Sequence, residues 1–408
     1  MSPESTPQRL LAPLQRVMLQ DSHEKEGAGH HVEQVEIAFK SSVTREAITA
    51  AWAATVAHTE ALRIAFVIGE EVPLGWERVN VRADLHFEAA LPDSWASWLA
   101  ADRCRRLLNP HEVPWRATFW PDTGRFVWTF HHALLDGRSI CRILVAFLRR
   151  IAGEAGDDLR LAKWPAPTPE NMALAAEWFG KMPGDLEPPD LGLWSAPTAE
   201  GSARCCLGVD FMRVLASLAA ALESTTATLL TWAWGQALAE TGGVRAVLVE
   251  QVRTGAPQAG TAGFTMNTLP VVILRACADE AAQGLREFRA QLLALRAIES
   301  VSAKDFPPSG FPDTDDPTTS MIMIERTSFS HLAEAVGKGA LVESLVLHEG
   351  VGETLMATAS ILPDLRLEVE GLRRHDLLAA WRGVLERLAR DFIPERPPDS
   401  PPLTSCCR

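Results

Sequence analysis

The segment Phe126-Val-Trp-Thr-Phe-His131-His132-Ala-Leu-Leu-Asp136-Gly137-Arg138-Ser139 constrains this chain more than any other. Phe126, Trp128 and Phe130 alternate along it, which predicts a strand. Pro121-Asp-Thr-Gly124 just upstream reads as the turn of a hairpin whose first strand runs from Ala117 to Trp120. Beyond Gly137, Ile140, Ile143, Leu144, Phe147, Leu148 and Ile151 recur at helical spacing, so a helix leaves the turn. Two histidines thus stand at a strand end, with a carboxylate and a glycine at the turn that follows. Side chains alternate on a strand, so only one of the two imidazoles can face a given cleft. Such a unit presents an imidazole as a base while a buried carboxylate holds the loop that carries it.

Other readings of these residues are weaker. His132 and Asp136 stand four apart, a spacing two metal ligands can use, but no third ligand lies at metal spacing nearby. No metal site is expected. The second pair, His30-His31, has no comparable context. No phosphate-cradling glycine loop and no lysine in a pyridoxal context is present, so no permanently bound cofactor is expected.

The net charge of −13 argues against nucleic acid as a partner. Arg103, Arg105 and Arg106 form a small basic patch, either solvated surface or a local attraction for an acidic partner. Seven cysteines, with Cys205-Cys206 and Cys406-Cys407 adjacent and no Cys-x-x-Cys, suit neither disulfides nor a metal site. This reads as a reducing compartment, and a cytoplasmic protein is expected. No leader peptide and no apolar run of bilayer length is found, so no membrane association is expected.

A chain of 408 residues suits two medium cores better than one large one. Ile48, Trp52, Thr55 and Val56 recur at helical spacing, and Leu62, Ile64, Phe66 and Ile68 then alternate as a strand. The same order returns later, with Leu230, Ala233, Trp234 and Leu238 on a helix stopped by Gly242-Gly243 and a strand from Val244 to Val252. Two lobes of one design follow: residues 1–182, a proline-bearing linker at 183–199, and residues 200–393. Further strands are expected around Ser320–Glu325, Leu341–His348, Glu353–Ser360 and Leu365–Glu370. A helix should then carry Leu377, Leu378, Trp381, Leu385 and Leu388. The proline-rich tail, 394–408, is expected to be disordered.

The pattern His-His-x-x-x-Asp-Gly resembles the active-site signature of the condensation domains of nonribosomal peptide synthetases, in the acyl-CoA-dependent acyltransferase superfamily. Further landmarks in order extend the resemblance over roughly residues 10 to 275. His58-Thr-Glu60-Ala-Leu62-Arg63-Ile-Ala-Phe66 is similar to the family's "RHExLRTxF" segment, with Ala57 in place of its arginine. Ala175-Ala-Glu-Trp178-Phe and Leu186-Glu-Pro-Pro189 resemble its inter-lobe stretch, and Gly263-Phe-Thr-Met-Asn267-Thr268-Leu269-Pro270 its "GxxxNTLP" strand. Two departures stand out. Ala12-Pro13-Leu14-Gln15-Arg16 keeps only the second half of the usual opening segment. Gly255-Ala256-Pro257 lacks the arginine that in the family pairs with the motif aspartate, leaving Arg253 as the candidate counter-ion of Asp136.

The resemblance implies an α/β (α+β) fold of two chloramphenicol-acetyltransferase-like lobes, a V-shaped pseudo-dimer with a central cleft. It implies acyl transfer from a thioester to an amine or hydroxyl, forming an amide or ester in natural-product biosynthesis. His132 matches the catalytic position, as general base or as the group that positions the acceptor. His131, Asp136, Gly137 and Arg253 would support the site, with Gly137 placed for close backbone approach or positive φ. Asn267 and Thr268 would contact substrate, although Asn267 equally suits a structural bond to backbone. The donor would be a phosphopantetheine thioester on an acyl or peptidyl carrier protein, or acyl-CoA. The length leaves no room for an adenylation or carrier domain, so a free-standing monomeric enzyme is expected. Two alternatives share the fold: a catalytically silent recruitment module and an epimerase.

Overall fold

The computed structural model describes residues 11–69, 73–81, 85–182, 186, 201–255, 258–306, 320–325, 329–337, 339–349, 355–362 and 364–392. The expected linker at 183–199, Leu186 apart, lies outside the described residues, as do the tail at 394–408, Ala256 and Pro257.

The chain opens with α1 (Pro13–Glu24), β1 (Val32–Phe39) and α2 (Arg45–Ala57), the last capped by Thr44, whose side chain accepts from Ala47 N. A short hairpin of β2 (Ile64–Ile68) and β3 (Pro73–Arg78) precedes β4 (Leu85–Phe87) and α3 (Trp95–Arg103). Then comes the expected hairpin, β5 (Trp115–Trp120) and β6 (Arg125–His131), antiparallel with Trp120 opposite Arg125. Gly124 closes it at φ 63°, where a Cβ would stand 2.8 Å from the carbonyl oxygen of Phe39. The expected helix follows as α4 (Gly137–Ile151), and β7 (Arg160–Leu161) ends the run.

The chain continues through α5 (Pro169–Gly180), β8 (Ser202–Leu207), α6 (Gly208–Ala221) and α7 (Thr226–Gly242), which Gly243 stops at φ 68°. After β9 (Ala246–Thr254) come β10 (Thr261–Ala262), β11 (Met266–Leu274), α8 (Ala281–Ala294) and β12 (Ser320–Glu325). The last elements are α9 (Phe329–Gly337), β13 (Val342–His348), β14 (Leu355–Ser360), β15 (Leu365–Gly371) and α10 (Arg374–Phe392).

Contacts divide these elements into two units. The first holds residues 1–166, 254–266 and 328–352; the second holds 167–253, 267–327 and 353–408. Contiguous lobes split at 182 and 200 are therefore corrected. Hydrogen bonding, not chain order, sets the division: β13 pairs antiparallel with β1, from Gln34 opposite His348 to Phe39 opposite Val342, and β10 pairs parallel with β7.

The first unit is built on a five-stranded sheet in the order β13-β1-β6-β5-β4. Trp52 of α2 and Phe147 of α4 pack on one of its faces. The Trp52 ring lies 5.3–5.6 Å from those of Trp115, Phe126 and Trp128, edge to face. The second unit holds a six-stranded sheet, β11-β9-β12-β14-β15-β8. Its core centres on Trp234 and Trp381, whose indole nitrogens donate to Ser320 Oγ and Leu230 O.

Strand β1 was not expected, because Glu33, Gln34 and Glu36 interrupt its apolar pattern. All three are buried. Gln34 Nε2 donates to Asp102 Oδ2 and Leu99 O, and Glu36 pairs with Arg125 and His348. Buried polar side chains with partners can sit in a central strand, and periodicity alone does not register them.

Candidate active site

The histidine turn is held within the first unit. Along β6 the residues alternate as expected: Phe126, Trp128 and Phe130 share one face, and Val127, Thr129 and His131 the other. His131 therefore turns away from the face that His132 continues past the strand end. It is 1% exposed; its Nδ1 accepts from Ala133 N at 3.1 Å, and its Nε2 lies 2.9 Å from Ser22 Oγ. Burial, with the neighbouring imidazoles of His31 and His132, pushes its pKa down to about 3. His131 is a neutral, structural histidine.

His132 begins a single 3₁₀ turn, and its backbone N–H donates to His31 O at 2.7 Å. Its side chain is 22% exposed, and its ring meets that of Phe264 edge-on at 5.7 Å. Nδ1 lies 2.8 Å from Glu33 Oε1. That oxygen sits off the N–H direction, and among the described residues neither Nδ1 nor Glu33 Oε2 has an aligned hydrogen-bond partner. Burial lowers the His132 pKa, but the carboxylates of Glu33, Glu349 and Asp136 outweigh it, and the imidazole titrates above its ordinary value. Nδ1 is sealed from solvent, so the exposed part of the side chain lies elsewhere than at Nδ1.

Asp136 is the N-cap of α4. Oδ1 accepts from Ser139 N at 2.8 Å, and Oδ2 accepts from Thr265 N at 3.2 Å and Thr265 Oγ1 at 2.6 Å. The Ser139 hydroxyl and the Asp136 N–H both donate to Gly263 O, strapping the turn to residues 263–265. Gln15 of α1 adds a further tie, donating to Ala133 O at 2.7 Å.

Three expectations are corrected here. Arg253 is not the partner of Asp136: it lies in the second unit and binds Glu299, with Nε 3.0 Å from Oε1, and Gln251. The Thr265 hydroxyl and the positive end of α4 serve the carboxylate instead. Gly137 needs neither positive φ nor close approach, since a Cβ there meets nothing within 4 Å. The substrate-donating role of Asn267 gives way to its structural alternative: Nδ2 donates at 2.9 Å to Glu299 O and Val301 O, both in the second unit. Thr268 is buried beside it in β11.

Arg103, Arg105 and Arg106 line a cavity of about 260 Å³ that also touches Ser22, His30 and His131. They are not a free patch. Arg103 donates to Gln34 Oε1, Arg105 pairs with Asp102, and Arg106 pairs with Glu26. Among the described residues no group of three His, Cys, Asp or Glu side chains is placed to hold a metal ion.

Sequence reasoning missed Glu33, His31 and Thr265. The row Glu33, Val35, Ile37, Phe39 carried a signal, a carboxylate at the end of a core-facing alternation, which demands a partner. His31 and Thr265 had no such signal.

No family model matches the chain. It is 28% identical over 294 residues to one polypeptide of the linear gramicidin synthase of Brevibacillus parabrevis, covering 64% of this chain and 6% of that protein. To a second polypeptide of the same synthase it is 26% identical over 323 residues, covering 71% of this chain and 4% of that protein. The chain thus spans about 6% of the length of the first of these relatives. Among solved structures, the first condensation domain of the CDA synthetase superposes with TM-score 0.69 at 17% identity, covering 95% of this chain and 98% of that one. The starter condensation domain of rhizomide synthetase, in complex with C8-CoA and Leu-SNAC, gives TM-score 0.66 at 11% identity, with 94% of each chain covered. The condensation domain of chain release from the enacyloxin polyketide synthase gives 0.64 at 18% identity, covering 99% of this chain and 86% of that one.

Proposed function

We propose, from the premise that this chain has the fold of the condensation domains, that it is an acyltransferase of natural-product biosynthesis. It takes an acyl group from a thioester, on a carrier protein or on CoA, and passes it to an amine or a hydroxyl. The observation that most supports this is His132 itself. It stands on the strand-end turn that Asp136 fastens, with Nδ1 sealed beside a carboxylate and the side chain partly exposed.

The chemistry needs little more. A thioester is already activated, so the protein must hold the acceptor against it and manage one proton. The acceptor nitrogen or oxygen bonds to the thioester carbon as its proton passes to His132 Nε2. The tetrahedral intermediate then collapses, the C–S bond breaks, and the departing thiolate takes the proton from the imidazolium. The balance closes without an oxidant, a metal or a covalent acyl-enzyme. The missing arginine at Ala256 would favour the recruitment alternative if it left the motif aspartate without partners. Asp136 is satisfied by Thr265 and by the α4 terminus, so that absence does not unmake the turn.

Intact-mass analysis tests the reading. The protein is mixed with acyl-CoA and acyl-carrier donors and a pool of amines and alcohols, and His132→Ala is run beside it. The expected result is an acylated acceptor with the wild-type protein, lowered by roughly 10²–10⁴-fold in the variant. Product formed equally by both proteins would remove His132 from the chemistry.

A further inference from the structure

We propose that Glu33 is a positioning residue for His132: its carboxylate takes the Nδ1 proton into a hydrogen bond, leaving the Nε2 lone pair toward the acceptor. This deepens the acyltransferase reading and rests on it.

The placement follows from register. In the β1–β6 pairing Val32 stands opposite His131 and Glu33 opposite Phe130. Glu33 therefore shares the apolar face of the sheet with Val35, Ile37, Phe126, Trp128 and Phe130, and ends that row where His132 begins. It is 4% exposed, and a carboxylate is rarely left there without a task or a partner. Its ionic neighbour is Nδ1 of His132 at 2.8 Å, and among the described residues Oε2 has no hydrogen-bond partner.

A neutral imidazole carries its proton on one nitrogen only, and the bond made by that nitrogen fixes the tautomer. A carboxylate accepts and does not donate, so Glu33 selects the form protonated at Nδ1. The resting contact is short but out of line. Catalytic hydrogen bonds often align only when substrate is bound. The other groups facing His132 do not compete for Nδ1. His31 meets it through a backbone carbonyl that accepts the His132 N–H, His131 is neutral, and the Asp136 carboxylate is filled by Ser139 and Thr265. Glu349, exposed beyond β13, acts on the ring through its charge. Removing the Glu33 charge leaves burial as the largest influence on the ring, and its pKa must fall.

The experiment is ¹⁵N-edited NMR of histidine-labelled full-length protein, wild type, Glu33→Gln and Glu33→Asp, with His132→Ala to assign the signal. Neutral His132 should carry its proton on Nδ1 in the wild type. In Glu33→Gln its pKa should fall and the Nε2-protonated form should appear; Glu33→Asp should restore part of the wild-type pattern. In turnover, Glu33→Gln should lose roughly 10²-fold in kcat with KM little changed, and its basic plateau should begin at lower pH. A wild-type signal protonated at Nε2 overturns the proposal without recourse to any variant. So does an unchanged tautomer and pKa in folded Glu33→Gln, or full turnover in that variant while His132→Ala is inactive. The NMR readout needs no substrate. A coupled Glu33–His132 pair in a protein that transfers no acyl group would leave this pairing standing and sink the acyltransferase reading instead.

Discussion

Asp136 grips Thr265, 129 positions further along the chain, through both the backbone N–H and the hydroxyl, while capping α4 through Ser139 N. One carboxylate thus joins the histidine turn, a helix terminus and a distant segment of the same unit.

Asp136→Ala should lower stability by about 2–4 kcal/mol. A lost N-cap costs about 1 kcal/mol, and buried donors stranded at Thr265 add about 1–3 kcal/mol. Asp136→Asn, which keeps an acceptor for Ser139 N, should lose about half as much. Thermal melts of both decide it; a wild-type melting temperature in Asp136→Ala would show the network to be idle in folding.

His132 and Glu33 should be coupled in stability as well as in chemistry. His132→Ala leaves the Glu33 carboxylate buried without its ionic neighbour, at a cost of about 1–3 kcal/mol. Glu33→Gln added to that variant should recover part of the loss. A double-mutant cycle in urea measures the coupling, and strict additivity would rule it out.

His131 should make the protein acid-sensitive. Its folded pKa is about 3, while the unfolded side chain titrates near 6.5, so below the higher value the unfolded state binds the extra proton. The contribution is complete above pH about 6.5 and is lost as pH falls toward 3, at about 1.4 kcal/mol per pH unit. His131→Asn should remove one proton from the measured pH dependence of unfolding over that window. An unaltered slope would place a charged imidazole in the folded protein.

Gly137→Ala should fold normally and gain a few tenths to about 1 kcal/mol, because the first helical position is open and its φ is not positive. Chemical denaturation of the pair tests this. A loss above about 1 kcal/mol would reveal backbone demands that the structure does not contain. If the variant is stable yet slow in acyl transfer, the methyl group obstructs substrate rather than the fold.

The hairpin at Gly124, strand β6 and helix α4 were legible in the sequence because period-two and period-3.6 patterns are local consequences of burial on one face. So was the opposite orientation of the two histidines, since alternation alone sends His131 and His132 to opposite sides. The partners were not legible. Asp136 finds Thr265, not Arg253, because a helix terminus and a hydroxyl satisfy a carboxylate as well as an arginine does, and no local pattern marks which is near. Asn267 is spent on the Glu299 and Val301 carbonyls for the same reason. Strand β1 hid behind Glu33, Gln34 and Glu36; Gln34 and Glu36 find their partners in α3, β6 and β13, and Glu33 stands beside His132. Local pattern in the sequence determined the β5–β6 hairpin, helix α4 and which imidazole stands at the turn; strand β1, its pairing with β13 and the carboxylate behind His132 came from tertiary structure, because hydrogen bonds and buried charges are settled by spatial neighbours rather than by neighbours along the chain.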